Sequence, residues 1–544
     1  MQRRQSHTTP TFLEPSLQEI LSTGETDLPL PCAKRVRRND SIPMPSSPEI
    51  QQPPSLSRNN STVQVPAVVQ NLVNNELSIS KSRTWTKVLD PATQRFLARV
   101  PDSTQIDVQN AVNAALTAQP AWAAQSMTRR KACLLSLLNI LHQNAAAIKY
   151  SLQTEVGKTA RDAESEFERG IDAVDTACSV SAQMNGTHWS NQSADTYTVY
   201  EPFGVCVSIT PFNFPFMIPL WSIPNALITG NTVILKPSEK APLTANILGE
   251  CFVQAGFPPG VFNIVHGSAG TVDKLLAQPA VSVVSFVGSE IVGERVYEHA
   301  KATRKRVQVE SSGKNHGVVL GDAVKGQTLY AIAGSAFGSA GQRCMALSVL
   351  ICVGETKEWL NELATVAQSL KVGCGLDPNT EIGPLITPIA KERVEATIDI
   401  AEAEGAEILL DGRNYSVPGY PEGNFVGPTI ISKVKPYMQC YQEELFGPVL
   451  VCLEVDTLDE AIEAINENKY GNGCTLFTTN PSAALNFQRK VNVGQVGINI
   501  PVLAPSGAIP RTTNKDSFLG DGLCGRNSWQ FFTMVKTITS LWRQ

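Results

Sequence analysis

TVILKPSEKAPLTANILGECFVQAGFPPGVFNIVHG, residues 232–267, contains the unit from which the fold follows. TVILKPS (232–238) opens as a run of β-branched and aliphatic residues and reads as a strand. LTANILGECFVQAG (243–256) carries helical spacing, and VFNIVHG (261–267) is strand-like again. GVCVSIT (204–210) precedes this unit. VSVVSFVGS (281–289) follows it and leads into a helix at IVGERVYEHAKA (291–302), after which VQVES and HGVVLGD complete the run. Alternating β and α segments of this length predict an α/β fold with a parallel, twisted sheet and helices on both faces. Ligands of such sheets sit at the carboxyl ends of the strands. TPFN, KPSE and GSE fall there.

A second α/β region spans roughly 319–480, with helices expected in AIAGSAFGSAG, at 355–370 and at 389–412. Upstream, 107–124 and 131–157 read as helices, the latter stopped by Gly157. WSNQSADTYTVYEPFG (189–204) reads as an exposed hairpin. The division expected is 1–77, 78–318, 319–500 and 501–544. Residues 1–77 are rich in Ser, Pro, Asn and Gln and bury too little to offset chain entropy, so they are expected to be disordered. KRVRR (34–38) within them is a solvated patch or a motif for import or an anionic partner. Arg3 and Arg4 hint at a transit peptide, against which Glu14, Glu19, Glu25 and Asp27 argue.

The chain has 544 residues, 42% hydrophobic and 17% charged, which supports large cores. A net charge of −5 gives no reason to expect a nucleic acid or an acidic membrane surface. No apolar run approaches membrane-spanning length. The twelve cysteines are scattered singly, which fits a reducing intracellular compartment and no metal site.

FGSAGQRCMALS (337–348) is the stretch that concentrates chemistry. Its small residues allow close backbone approach before Cys344. A cysteine is more often a small buried residue than a nucleophile. Here Arg343 is adjacent, and a helix starting at Cys344 would aim N–H groups at the sulphur, two features that favour a thiolate.

This stretch resembles the active-site motif of the aldehyde dehydrogenase superfamily. TPFNFP (210–215), LKPSE (235–239), FVGSEIVG (286–293), VESSGK (309–314) and EELFGPV (443–449) resemble further motifs of that family, in the family's order, and the resemblance covers about 78–540. IGPLITPIAKERV and GNFVGPTIISKVKP are similar to its methylmalonate-semialdehyde branch, which uses NAD and transfers the acyl group to coenzyme A.

The resemblance implies a Rossmann-type NAD-binding domain at 78–318 and an α/β catalytic domain at 319–500. It also implies a β oligomerisation arm from the 189–204 hairpin and the C-terminal segment, in a homodimer or homotetramer. Cys344 would attack the aldehyde, and the Asn213 amide with the Cys344 N–H would hold the oxyanion. Thr210, Pro211 and Phe212 would line the cofactor site. Gly288 and Ser289 would meet the diphosphate at a helix N-terminus. Lys236 and Glu239 would hold the adenosine ribose, where a carboxylate repels a 2′-phosphate and favours NAD over NADP. Glu444 would hold the nicotinamide ribose, with Phe446 near the ring.

A malonate-type semialdehyde carries a carboxylate, for which Arg343 and Arg169 are the candidate cations. The resemblance points to mitochondria, with the cytoplasm as the alternative given the acidic N-terminus.

Two departures stand out. The CoA-dependent branch commonly has asparagine where this chain has Glu310, a residue able to activate water and release a free acid instead of acyl-CoA. PVLAPSGAIPRTT (501–513) lacks the aromatic that often lines the substrate tunnel, which leaves the size of the aldehyde open. A non-catalytic scaffold is the reading from another class, and the full set of motif residues argues against it.

Overall fold

A computed structural model describes residues 68–190, 194–501, 509–521 and 527–542. KRVRR and most of the segment expected to be disordered lie outside the described residues. Asn71–Val73 and Glu76–Ser78 nevertheless form a hairpin turning on Asn74 and Asn75, whose φ values of 58° and 64° suit a tight two-residue turn. Leu72 pairs with Ile264 and is buried, so structure begins before residue 78.

The first sheet is built on five parallel strands: β1 (Val205–Ile209), β2 (Thr232–Lys236), β3 (Phe262–Ile264), β4 (Val281–Val287) and β5 (Arg306–Glu310). Their order is β3-β2-β1-β4-β5, flanked by the N-terminal hairpin and by Phe518–Gly520 antiparallel to β5. Successive residues serve opposite faces. Cys206, Val233 and Leu235 enter a core with Phe167, Phe216 and Phe252, whereas Val207, Ile234 and Val284 pack with Val108 and Val112. The chain winds outward one way from β1 and then the other way from β4. A crevice therefore opens between the carboxyl ends of β1 and β4, the switch point of a doubly wound sheet.

Four helices position the site: α1 (Ala160–Cys178), α2 (Met217–Ile228), α3 (Leu243–Gln254) and α4 (Glu290–Ala302). α2 is apolar and almost wholly buried, and its first N–H groups are received by buried Glu166, Phe216 at 2.9 Å and Met217 at 3.1 Å. Lys158 neutralises that carboxylate at 2.7 Å.

The second sheet holds β6 (Asn315–Val319), β7 (Leu347–Val353), β8 (Thr429–Ser432), β9 (Val449–Val455), β10 (Gly473–Phe477) and β11 (Gln495–Ile498). Its order is Glu407–Leu410, β8, β9, β7, β6, β10, β11. HGVV, expected to complete the first sheet, lies in β6 and pairs with β7 and β10. The crossing falls at 311–314, ahead of the expected boundary at 318. Both β5 and β6 are buried apolar strands, and such a pattern carries no mark of which sheet receives it.

Two expected helices also divide. The 131–157 segment is two helices broken at Asn144, and Gly157 does stop the second with φ 79°. The 389–412 segment is helical only over Pro388–Ala403; Gly405, at φ 95°, turns the chain into strand Glu407–Leu410.

The expected hairpin forms from His188–Ser190 and Asp195–Pro202, and Thr533–Ser540 pairs along its other side. Trp189, Tyr197, Val535 and Trp542 are exposed on or beside it. Among the described residues no helix is long and apolar enough to cross a membrane.

Candidate active site

The crevice between β1 and β4 collects the residues singled out for a cofactor. Thr210, directly after β1, donates its N–H to the Lys236 carbonyl at 3.1 Å, and its buried Oγ1 has no hydrogen-bond partner among the described residues. Lys236 ends β2 with Nζ 3.6 Å from Glu239 Oε2. Burial pulls its ammonium below the usual lysine range, and Glu239 opposes that pull. Across the switch point, Gly288 N–H donates to the Glu310 carbonyl at 3.1 Å. Ser289 is the N-cap residue of α4, and its side chain makes no capping bond. A Cβ at Gly293 would lie 2.7 Å from Val309, so this glycine lets α4 sit close on the sheet.

Pro211 and Phe212 follow on the rim, where Phe212 meets Phe446 edge to face at 5.9 Å. The N-terminus of a thirteen-residue helix, an unpartnered buried hydroxyl and a Lys/Glu pair can together hold a diphosphate and a sugar diol. The site therefore fits a dinucleotide.

The nucleophile loop differs from expectation. No helix starts at Cys344; the chain turns there and enters β7 at Leu347. Ser339, Ala340 and Gly341 are all left-handed, with φ of 55°, 53° and 69°. Each of the two non-glycine residues costs about 1–2 kcal/mol in that region. Packing enforces it: a Cβ on Gly341 would stand 2.0 Å from the Gly447 carbonyl, so only glycine lets the two backbones meet.

Gln342 anchors the loop by accepting from Ile386 N–H at 3.0 Å and donating to the Pro384 carbonyl at 3.2 Å. The Cys344 carbonyl accepts from Asn315 Nδ2 and Asn472 Nδ2, each at 2.8 Å. Cys344 is partly exposed, whereas every other described cysteine is buried. Burial pushes the Cys251 and Cys352 thiols up to about 12, which leaves them unreactive.

Around the sulphur stand several charges. Arg511 Nη2 lies 3.4 Å from Cys344 Sγ and 3.2 Å from Glu310 Oε2, and its guanidinium stacks 4.5 Å over the Trp221 ring. Glu310 and Arg511 are both buried. Arg343, expected to serve the sulphur, turns instead to Asp162 in the first turn of α1. Arg169 lies two turns further along α1 and has Arg343, Cys344 and Asp162 as neighbours. Buried Asn213 donates Nδ2 to the Gln342 carbonyl at 3.0 Å, drawing the TPFN loop onto the nucleophile loop.

Glu444 accepts from Gly313 N–H at 3.1 Å. Burial raises its carboxyl above the usual range against the pull of Ser312, Gly313 and Lys314. Lys314 fixes the preceding turn through the Cys440 and Glu443 carbonyls, both at 2.6 Å, and burial lowers its ammonium to about 8. Phe446 itself is left-handed at φ 51°.

Cys344, Asn213, Glu310, Arg343 and Arg169 thus share one end of the crevice, and Thr210, Lys236, Glu239, Gly288 and Ser289 share the other. Glu444 and Phe446 close the space beside them. Arg511, Asn315, Asn472 and Asp162 complete the site although no motif had marked them. The arginine stands in the very stretch noted for its missing aromatic.

The profile of the aldehyde dehydrogenase family matches residues 78–538. The mitochondrial, acylating methylmalonate-semialdehyde/malonate-semialdehyde dehydrogenase of Bos taurus is 47% identical over 468 residues, covering 86% of this chain and 87% of its own. The crystal structure of methylmalonate-semialdehyde dehydrogenase from Oceanimonas doudoroffii superposes with TM-score 0.86 at 37% identity, covering 88% of this chain and 99% of its own. An NAD+ complex of aldehyde dehydrogenase from Bacillus cereus gives TM-score 0.84 at 27% identity, over 88% and 98%.

Proposed function

The chain belongs to the aldehyde dehydrogenase family, and from that premise we propose that it oxidises malonate or methylmalonate semialdehyde with NAD and passes the acyl group to coenzyme A. The observation that carries this reading is Cys344, partly exposed, backbone-locked and faced through its sulphur by Arg511, at the end of a crevice that fits a dinucleotide.

In this reading Cys344 adds as a thiolate to the aldehyde carbon. One N–H of the Asn213 amide is given to the Gln342 carbonyl, which orients the other toward the oxygen as it becomes negative. Lys236 and Glu239 hold the adenosine ribose, Ser289 and the N-terminus of α4 the diphosphate, and Glu444 the nicotinamide ribose. When bound, NAD supplies the hydride acceptor. Loss of the C–H hydrogen as hydride restores the carbonyl as a thioester on Cys344. The thiolate of coenzyme A then attacks this thioester, and Cys344 leaves as thiolate.

The guanidinium groups of Arg343 and Arg169 supply the charge that a semialdehyde carboxylate needs, with Asp162 orienting Arg343. The three-stranded arm, with Trp189, Val535 and Trp542 exposed, serves pairing with further copies in a dimer or tetramer. The mitochondrial relative supports the same compartment for this chain.

A second reading, hydrolysis to a free acid, is favoured by one residue, Glu310, a carboxylate buried beside the nucleophile. NADH production from malonate semialdehyde and from propanal, with and without coenzyme A, tests the proposal. Turnover that requires coenzyme A and is lost in Cys344→Ala supports it. Full turnover in that variant, or no NADH from protein that binds NAD, removes it.

A further inference from the structure

We infer that Arg511 selects the acyl acceptor: it holds Glu310 away from water and so protects the Cys344 thioester for a thiol nucleophile. The inference rests on the oxidative reading above and concerns its second half. One atom carries it. Arg511 Nη2 is 3.2 Å from Glu310 Oε2 and 3.4 Å from Cys344 Sγ, so it stands between the base and the sulphur that bears the acyl group. A hydrolytic water must be within hydrogen-bond reach of the carboxylate and within attacking distance of the carbon on that sulphur. The guanidinium nitrogen occupies that position.

The placement is fixed from several sides. The guanidinium stacks on Trp221 at 4.5 Å, and Arg511 and Glu310 are both buried. β5 ends at Glu310 and pairs with Phe518–Gly520, so the strand bearing the base is tied to the segment that follows Arg511. A buried ion pair of this kind holds the carboxylate on a fixed cation, whereas a general base must be placed to take the proton of water.

Hydrolysis of the thioester is the step held back. Water oxygen bonds to the acyl carbon, its proton passes to Glu310, the C–S bond breaks and Cys344 leaves as thiolate. Coenzyme A arrives with its own nucleophilic sulphur and needs no such base. Arg511 is therefore a positioning residue acting through Glu310, and the quantity it governs is the partition of the thioester, separate from the rate at which the thioester forms.

The test uses propanal, which has no carboxylate to engage either arginine. Enzyme, NAD and propanal are mixed without coenzyme A, and the propionyl adduct on Cys344 is followed by quenched-flow mass spectrometry. The rate of its loss is compared with the rate of its formation in the same protein. Arg511→Met should speed adduct loss by roughly tenfold or more. Arg511→Lys, which keeps the charge without the fork, should fall between Met and wild type. Arg511→Met/Glu310→Gln should return to the slow rate. Arg511→Gln makes the same measurement should the methionine variant fail to fold.

Unchanged or slower loss in the neutral variants overturns the inference, as does fast loss that survives in the double variant. If no propionyl adduct forms in wild type, the oxidative reading itself fails and the inference falls with it. If the adduct forms but coenzyme A does not accelerate its loss, the oxidation stands while the acceptor is wrong, and the inference that Arg511 saves the thioester for a thiol is overturned.

Discussion

Asn472 donates its side-chain amide to the Cys344 carbonyl at 2.8 Å, so a loop far along the chain fixes the backbone of the nucleophile. Asn315 gives the same carbonyl a second bond and reaches the Ala346 carbonyl at 2.9 Å, which stops the turn from rotating. Asn472→Ala removes one of these bonds, worth about 1–2 kcal/mol in a buried setting. We expect kcat to fall about tenfold with the NAD KM unchanged. Steady-state kinetics check this, and a loss confined to NAD binding contradicts it.

Lys236 and Glu239 set cofactor choice in the proposed function. Glu239→Gln removes the charge that repels a 2′-phosphate at a partly exposed site. The ratio of kcat/KM for NADP to that for NAD should rise roughly tenfold. An unchanged ratio would place the ribose elsewhere.

Arg169 neighbours Arg343, but its guanidinium has no hydrogen bond or ion pair among the described residues, whereas Arg343 is held by Asp162. Arg169→Ala should raise KM for malonate semialdehyde by about tenfold or more and leave propanal almost untouched. Equal effects on the two substrates would remove its proposed role.

Two buried histidines make a contribution to stability that falls on mild acidification. Burial keeps His266 and His316 neutral in the fold, with both lowered to about 3 from 6.5. The unfolded chain therefore binds more protons between those values. The stability that these residues contribute is complete above about 6.5 and is lost as pH falls toward 3. Glu155 has the opposite sign: burial raises it to about 7, so its contribution is present below about 4.5 and is lost as pH rises through 7. Between pH 4.5 and 6.5 each histidine adds a slope of about 1.4 kcal/mol per pH unit, opposed by Glu155 and by the raised carboxyls of Glu250 and Glu444. Denaturant midpoints at pH 5.0, 5.5 and 6.0 should therefore give His316→Gln a slope lower than that of wild type by about that amount. Equal slopes in the two proteins would contradict the assignment.

The parallel sheet was legible because its strands are unbroken apolar runs and its helices have a different period. The polar residues at the strand ends then mark one crevice. Where legibility failed, the reason is local. HGVV went to the second sheet because a fully buried strand carries no mark of its neighbours. The helix expected at Cys344 is excluded because the chain turns there and enters β7 only three residues later, at Leu347. Gly405 was a readable stop within 389–412. Arg511 and Asn472 were illegible in principle, since each reaches the nucleophile only through tertiary folding.

The most direct measurement is the identity of the product. Enzyme incubated with NAD, malonate semialdehyde and coenzyme A is quenched, and the acyl species are separated by mass. The account predicts acyl-coenzyme A equal in amount to the NADH formed, with an acyl adduct on Cys344 when coenzyme A is withheld. Free acid equal to NADH in the presence of coenzyme A would contradict it.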